Sequence, residues 1–392
     1  MLGVWCLMIL SIDTSCDETA AAVVLGRRVF SNVIYSQVLL HKKWGGVVPS
    51  IAKRAHEERI DFVINATIKK ILSQKNLFTS KLASPPQSAG SVAIRSSSQS
   101  EGSLHRSLAQ TATRFINFFD YIDAIAVTVG PGLAPALEVG IKKAKELAEK
   151  FNKKIISVNH LEGHIYSPFV QNSKGNPKID FHFPYLVLTV SGGHTSLVIF
   201  EDHLKYKVIG ETIDDAAGEA LDKAAKLLGL GYPGGPVIER LAKEVDNRDF
   251  YHFPRPMVSS DNLNFSFSGL KTSFYYFLKK MNEKEKIKKI RELSSSFQQA
   301  VFETLIIKME KAIKKTGIKN LALVGGVSAN LYLRKLFRNL AKKYNGQVLF
   351  PSFKYLCGDN AAMIGVVASF KAQKNLFVSD IKNLDRMPRM SL

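Results

Sequence analysis

The sequence predicts an α/β protein of two lobes that repeat one plan and face each other across a central cleft. Three observations carry this. Residues 9–24, ILSIDTSCDETAAAVV, and residues 185–200, YLVLTVSGGHTSLVIF, both read as strand, tight polar turn, strand. Laid together, they put Ser15 on Ser191 and Thr19 on Thr195. The segment IDAIAVTVGPG (122–132), a Lys-rich helix and NKKIISVN (152–159) are then echoed by IKNLALVGGVS (318–328), a helix and NGQVLFPS (345–352). Order and spacing match in both halves, which argues for an internal duplication. Strands joined by helices imply that each lobe has a largely parallel inner sheet flanked by helices. Ligands of such a fold sit on the turns at the strand ends.

The elements follow in chain order. The 392 residues suffice for two domains, and 46% hydrophobic residues suffice for a sizeable core. The start, MLGVWCLMILSID, lacks a basic n-region and a small-residue cleavage site. It runs into the polar TSCDET and reads as a buried first strand. An N-terminal lobe covers residues 1–183. Within it, residues 80–107 are rich in Ser and poor in large apolar side chains, which predicts a mobile surface insertion. A C-terminal lobe covers 184–355, residues 356–375 form a helix returning to the first lobe, and 376–392 read as a loosely held tail.

Composition narrows the function. There are 54 Lys and Arg against 34 Asp and Glu, a net charge of +20. That balance fits a polyanionic partner such as nucleic acid, or a Lys-rich solvated surface without one. The runs 279–291 and 141–154 are the basic candidates. Cys6, Cys16 and Cys357 are too few and too scattered for a disulfide framework or a Cys-based zinc site. A reducing, cytoplasmic setting fits, and no apolar stretch is long enough to span a bilayer.

No GxxxxGK[ST] loop is present, which excludes a P-loop mechanism. Small-residue turns occur instead at DTSCDET (13–19), GPG (130–132), SGGHT (191–195), YPGGP (232–236) and GGVSAN (325–330). Glycine lets backbone N–H groups approach a phosphate or purine, because no Cβ intervenes. In DDAAGEALDKAAKLLGLGYPGGP (214–236), Ala217, Ala220, Leu221, Ala224 and Leu228 form an apolar helical face. Asp215, Gly218, Glu219 and Asp222 share the other. A ligand against the bare backbone would explain Gly218, and Asp222 could accept from two ribose hydroxyls. The alternative is a solvated acidic face with Asp214 or Asp215 as N-cap.

NHLEGH (159–164) puts His160 and His164 at i and i+4, where both side chains can point at one ion. Glu162 lies about 200° around the helix from His160, so it cannot serve as a metallopeptidase base there. Asp359, in LCGDNAAMIG, is either a helix N-cap or a third ligand. The duplication places its turn and NHLEGH on corresponding edges of one cleft, which favours a His/His/Asp metal site.

The motifs TSCDET, GGVVPSIAKRAHEERI, GPGL, NHLEGH, VSGGHTSL, GETIDDAAGEALDKAAKLLGLGYPGGP, FSFSGLKT, GGVSAN and CGDNAAMIG together carry a family resemblance. From about residue 8 to residue 370, the insertion apart, the chain resembles the tRNA N6-adenosine threonylcarbamoyltransferases, once called O-sialoglycoprotein endopeptidases. The resemblance is to the bacterial and mitochondrial branch more than the archaeal one. It implies a duplicated actin-like, sugar-kinase-like (RNase H-like) fold. It also implies transfer of a threonylcarbamoyl group from threonylcarbamoyl-adenylate to N6 of the adenosine 3′-adjacent to the anticodon, in tRNAs reading codons that begin with adenine. By the same resemblance, His160, His164 and Asp359 bind one divalent metal, Fe2+ or else Zn2+; on chemical grounds such an ion would act as a Lewis acid in catalysis. Thr189, Val190, Ser191, Gly192, Gly193, Asp222, Gly235 and Asn330 bind the adenylate, or ATP, in the cleft. A paralogous partner subunit of the same fold and a small ATPase subunit are implied for the bacterial branch. Asp13 departs from the family's usual Glu, and Pro135 from a small residue. A sugar kinase, a metallopeptidase and a non-catalytic ATP-binding scaffold are the rival classes. A kinase would not need the His/His/Asp site, and Glu162 disfavours the peptidase.

Overall fold

The apolar runs of the sequence become the inner strands of two sheets. The computed structural model describes residues 7–73 and 118–392, and the Ser-rich stretch 80–107 lies outside the described residues. In the first sheet, β1 (Met8–Asp13) pairs antiparallel with β2 (Glu18–Leu25), and β2 with β3 (Arg28–Ser36). On its other side β1 pairs parallel with β4 (Ala124–Gly130), and β4 with β5 (Lys154–Asn159). The strand order is β3-β2-β1-β4-β5.

The second sheet repeats this order. It is built from β6 (Tyr185–Val190), β7 (Thr195–Asp202), β8 (Lys205–Glu211), β9 (Asn320–Val324) and β10 (Gln347–Leu349). The order β10-β9-β6-β7-β8 has the same parallel and antiparallel neighbours. Even the hairpin register agrees. Asp13 faces Ala20 in the first lobe and Thr189 faces Ser196 in the second, the same offset that lays Ser15 on Ser191. β3 and β8 add a strand that the sequence reading did not separate out. Both are edge strands, and the alternation in RVFSNVIYS and KYKVIGE is blurred because few positions of either are fully buried.

Helices cover the sheets. α1 (Pro49–Leu72) and α2 (Ala134–Phe151) pack on the first lobe, and the short α3 (His160–Tyr166) follows β5. Pro135 lies in the first turn of α2, where no intrahelical N–H is required, so it fits without disturbing the turn before it. The second lobe carries α4 (Ala217–Leu227), α5 (Gly235–Lys243), α6 (Ser268–Lys279), α7 (Ile290–Thr316) and α8 (Leu331–Lys343).

The last helix, α9 (Ala361–Gln373), crosses back and packs on β1, β2 and α3. It is apolar all round and buried, as a helix wedged between layers must be. Ser11 Oγ donates to the Ala361 carbonyl at 2.6 Å. A Cβ on Gly365 would press on Val24 and Ser11, so glycine permits this close approach.

The segment after α9 corrects one expectation. It is not loosely held. Val378 N donates to Ile155 O at 2.9 Å on the β5 edge, and Met387 N to Val129 O at 2.7 Å at the end of β4. Asn159 Nδ2 donates to Ser391 O at 2.9 Å. Val378, Ile381, Leu384 and Met390 join the first lobe's core. Unused strand-edge carbonyls and a spaced set of apolar side chains hold the segment down.

Candidate functional site

The NHLEGH turn is a helix start fixed from both sides. Asn159 Oδ1 accepts from Leu161 N at 2.8 Å, and Glu162 Oε2 accepts from Asn159 N at 3.2 Å, a capping box. Glu162 also pairs with Lys371 of α9 at 2.7 Å, so it points away from the two imidazoles. The helix then presents His160 and His164 on one face, with ring centroids 4.7 Å apart.

Asp359 arrives from the segment between β10 and α9. Its Oδ1 lies 3.3 Å from His160 Nε2 and 3.2 Å from His164 Nε2. One ligand atom from each of the three groups lies within 4.8 Å of the others. The residue that caps α9 is Asn360, whose Oδ1 accepts from Met363 N at 3.0 Å, which leaves the Asp359 carboxylate free to face the histidines. The 3.2 Å approach to His164 is not aligned as a hydrogen bond, and both ring nitrogens of His164 are buried without one. An uncompensated buried imidazole is costly unless something else completes its coordination. The donor set of two imidazoles and one carboxylate therefore fits a borderline divalent cation. Among the described residues this is the one such group found.

Charge in the cluster is divided unevenly. Burial opposes a charged His160, yet the Asp359 and Asp13 carboxylates outweigh it and hold that imidazole well above its ordinary value. Burial lowers His164, and the neighbouring His160 charge adds to this. Burial raises Asp359, but the charge on His160 outweighs it and holds the carboxyl well below the usual range.

Asp13 and Ser15 form a shell that the sequence reading did not assign. Ser15 Oγ lies 3.1 Å from His160 Nδ1, and Asp13 Oδ2 lies 3.6 Å from it. The shorter Asp13 thus reaches the imidazole without a glutamate's extra methylene. Contact at Nδ1 turns His160 Nε2 toward Asp359 and His164. His56 of α1 braces the same turn, with Nε2 3.1 Å from Cys16 O and Nδ1 2.7 Å from Thr19 Oγ1. The available signal was the duplication, since DTSCDET occupies the first-lobe counterpart of SGGHT.

The glycine turns divide into two kinds. At GPG, a Cβ on Gly130 would overlap Met387 O, and one on Gly132 would overlap Ser15 O. Gly132 N donates to Pro388 O and Leu133 N to Ser15 O, so this turn is consumed by packing rather than open to a phosphate. Gly325 (φ +88°) packs against Val190 O and needs glycine for its backbone angle as well. By contrast, Gly192, Gly193, Gly235 and Gly326 face free space.

Gly218 corrects the ligand explanation. It lies in the first turn of α4, and a Cβ there would overlap the Ser191 carbonyl. Close approach of the SGG turn, not a ligand, accounts for this glycine. Neither acidic candidate caps α4, whose N-cap is Ala216. Asp214 instead binds the start of α6, accepting from Ser268 Oγ at 2.6 Å and Phe267 N at 2.8 Å. Asp215 pairs with Lys223 and Lys271.

The other residues read from sequence lie as follows. Thr189 and Val190 are buried in β6, and Ser191 Oγ accepts from His194 N at 3.1 Å. Asp222 Oδ1 accepts from Gly234 N at 2.7 Å and Gly235 N at 3.0 Å, which leaves Oδ2 uncommitted. Burial raises its carboxyl despite those two bonds. Asn330 caps α8 by accepting from Leu333 N at 3.0 Å and donates to Gln298 Oε1 at 3.0 Å.

Comparison with known proteins decides the family. The sequence matches the profile described as "TsaD: tRNA N6-adenosine threonylcarbamoyltransferase" over residues 28–80 and 96–366. A protein of that name from Endomicrobium trichonymphae is 44% identical, with 93% of this chain and 93% of the relative covered. One from Thermosipho africanus is 39% identical, with 98% and 100% covered. The chain belongs to the tRNA N6-adenosine threonylcarbamoyltransferase family. That membership makes it a transferase of tRNA modification and leaves the kinase, peptidase and scaffold readings without support. A solved structure, full-length HypF in a phosphate- and nucleotide-bound form, shares the fold at TM-score 0.52 and 13% identity, covering 95% of this chain and 56% of HypF. Two five-stranded sheets of identical plan thus place this threonylcarbamoyltransferase chain among the duplicated actin-like, sugar-kinase-like folds.

Among the described residues, no helix is long and apolar enough to cross a membrane.

Proposed function

We propose that the chain, acting in the cytoplasm, transfers a threonylcarbamoyl group from threonylcarbamoyl-adenylate to N6 of the adenosine 3′-adjacent to the anticodon, in tRNAs reading codons that begin with adenine. The observation that carries the site assignment is the approach of both imidazole Nε2 atoms to one Asp359 oxygen, 3.3 and 3.2 Å away. His160, His164 and Asp359 would hold one divalent cation, Fe2+ or else Zn2+. When bound, that ion supplies Lewis-acid polarisation of the reacting carbonyl.

The remaining work falls to the chain. Ser15 and Asp13 keep His160 oriented through Nδ1. The open amides near Gly192, Gly193 and Gly326 suit the adenylate phosphate, and Asp222 Oδ2 suits ribose hydroxyls. Thr189, Val190, Ser191, Gly235 and Asn330 shape the turns that carry these groups. The attacking amine forms a C–N bond to the carbamoyl carbon, the bond from that carbon to the phosphate oxygen breaks, and AMP leaves, its phosphate taking up the proton lost from N6. Holding the amine and the adenylate in line supplies much of the rate. Burial keeps His194 down at about 4. It is therefore neutral at working pH and too weak a base to be the main proton carrier. By resemblance to the bacterial branch, a paralogous subunit of the same fold and a small ATPase subunit assist.

The deciding experiment mixes purified protein, threonylcarbamoyl-adenylate and unmodified tRNA, with and without those subunits, and reads the nucleosides by mass spectrometry. Threonylcarbamoyladenosine is the expected product. His160→Ala is expected to abolish it and to lower metal content while the thermal melt stays cooperative. Normal turnover in that variant would remove the metal assignment.

A further inference from the structure

One side chain touches both halves of the site. Arg334, in the first turn of α8, donates from Nε to the Ser328 carbonyl at 2.6 Å, inside the GGVSAN turn. Its Nη2 reaches the Pro351 carbonyl at 3.3 Å and Cys357 Sγ at 3.3 Å. Pro351 and Cys357 lie in the segment that leads from β10 to Asp359. The guanidinium also covers the Phe350 ring, 5.0 Å from its centroid.

Backbone pairing does not do this job. The β9–β10 ladder ends at the Ala322–Leu349 pair, before either functional turn begins. Beyond it the two chains separate, one into Gly325–Asn330 and the other toward Asp359. Asn360 Nδ2 donates to Gly358 O at 2.9 Å, which ties the loop together across Asp359. A shift at Ser328 or at Cys357 must therefore strain, or be relayed by, the shared guanidinium.

We propose that Arg334 is a positioning residue that couples the two subsites, so that a nucleotide on the 325–330 turn and a divalent cation at Asp359 bind cooperatively. This rests on the proposed function, which places those ligands there. A rigid planar fork is suited to the task, because it holds the donors to the Ser328 carbonyl and to the Pro351–Cys357 segment at a fixed separation. A lysine offers a single point charge and cannot. Linkage requires the effect to be reciprocal, with each ligand tightening the other by the same factor.

The test is a double titration on the full-length protein. Zn2+ affinity is measured by calorimetry with and without saturating AMP, and AMP affinity with and without Zn2+. The wild type is expected to show a mutual gain of about 5-fold or more. In Arg334→Gln both ligands are expected to bind, with the gain reduced to about 1-fold, while the thermal melt stays cooperative. Cys357→Ala removes the sulfur contact alone and is expected to lose part of the gain, which keeps the proposal testable if Arg334→Gln fails to fold. An undiminished gain in Arg334→Gln would mean direct chelation of Zn2+ by AMP and would overturn the coupling. Independent binding in the wild type would overturn it too, and would leave the function intact. Failure of the wild type to bind either ligand would sink the site assignment as well. Full gain in Arg334→Lys would show that charge suffices and reject the fork.

Discussion

Gly218 and Asp222 lie four residues apart on α4 and answer to different neighbours. Gly218 is required by the Ser191 carbonyl, so Gly218→Ala is expected to cost about 1–3 kcal/mol, the range for overpacking. The loss should appear in denaturant melts of the ligand-free protein. A loss seen only in adenylate affinity would restore a ligand-based role. Asp222 holds two glycine amides with one oxygen and keeps the other free. Asp222→Asn is expected to weaken AMP binding about 10-fold, equivalent to one hydrogen bond to a charged group, with little effect on Zn2+ affinity. The two readings of Asp222 and Gly218 were equally visible as letters. They separate only because one Cβ would collide with backbone and one carboxylate oxygen is left over.

At the scale of elements, α7 and α8 are tied by Glu310. Hydrogen bonds from Lys343 and Tyr344 hold its carboxyl down at about 2. A depressed acid stabilises the fold above its unfolded value of about 4.5. That contribution is lost as pH falls through the folded value near 2. Glu310→Gln is therefore expected to remove roughly 1 kcal/mol at pH 7, after allowance for solvent screening, and to flatten the stability profile between about pH 4.5 and 2. Urea melts across that window check it. The inner strands and the long helices were legible, because apolar runs and capping residues announce them. The edge strands β3 and β8 were not, since an edge strand has fewer buried positions and so a weaker alternation.

At the scale of the whole molecule, two features are set by chain crossings. α9 returns to the first sheet, and the residues after it run along β5 and end against β4 and Asn159. Truncation after Arg386 removes the bonds at Val129, Gly132 and Asn159. It is expected to lower Tm by roughly 1–2 °C for each kcal/mol lost, given the length of the chain, and to weaken Zn2+ binding by loosening the residue next to His160. An unchanged Tm would show that these last residues are passive. The charge of +20 is the other global feature. Affinity for unmodified tRNA is expected to fall steeply between about 50 and 200 mM salt as counterions are released. A salt-independent affinity would rule out phosphate contacts as its source.

The sequence by itself determined the duplicated plan, the correspondence of strands and the His160–His164 pair, because periodicity, turn residues and i, i+4 spacing are local properties; Asp359 became a candidate only through the duplication and the family resemblance. The tertiary structure alone decided which glycines are packed and which are open, that Ser15 and Asp13 stand behind His160, and that the C-terminal segment is bound. Those outcomes depend on atoms brought together from distant parts of the chain, and no local pattern encodes such approaches.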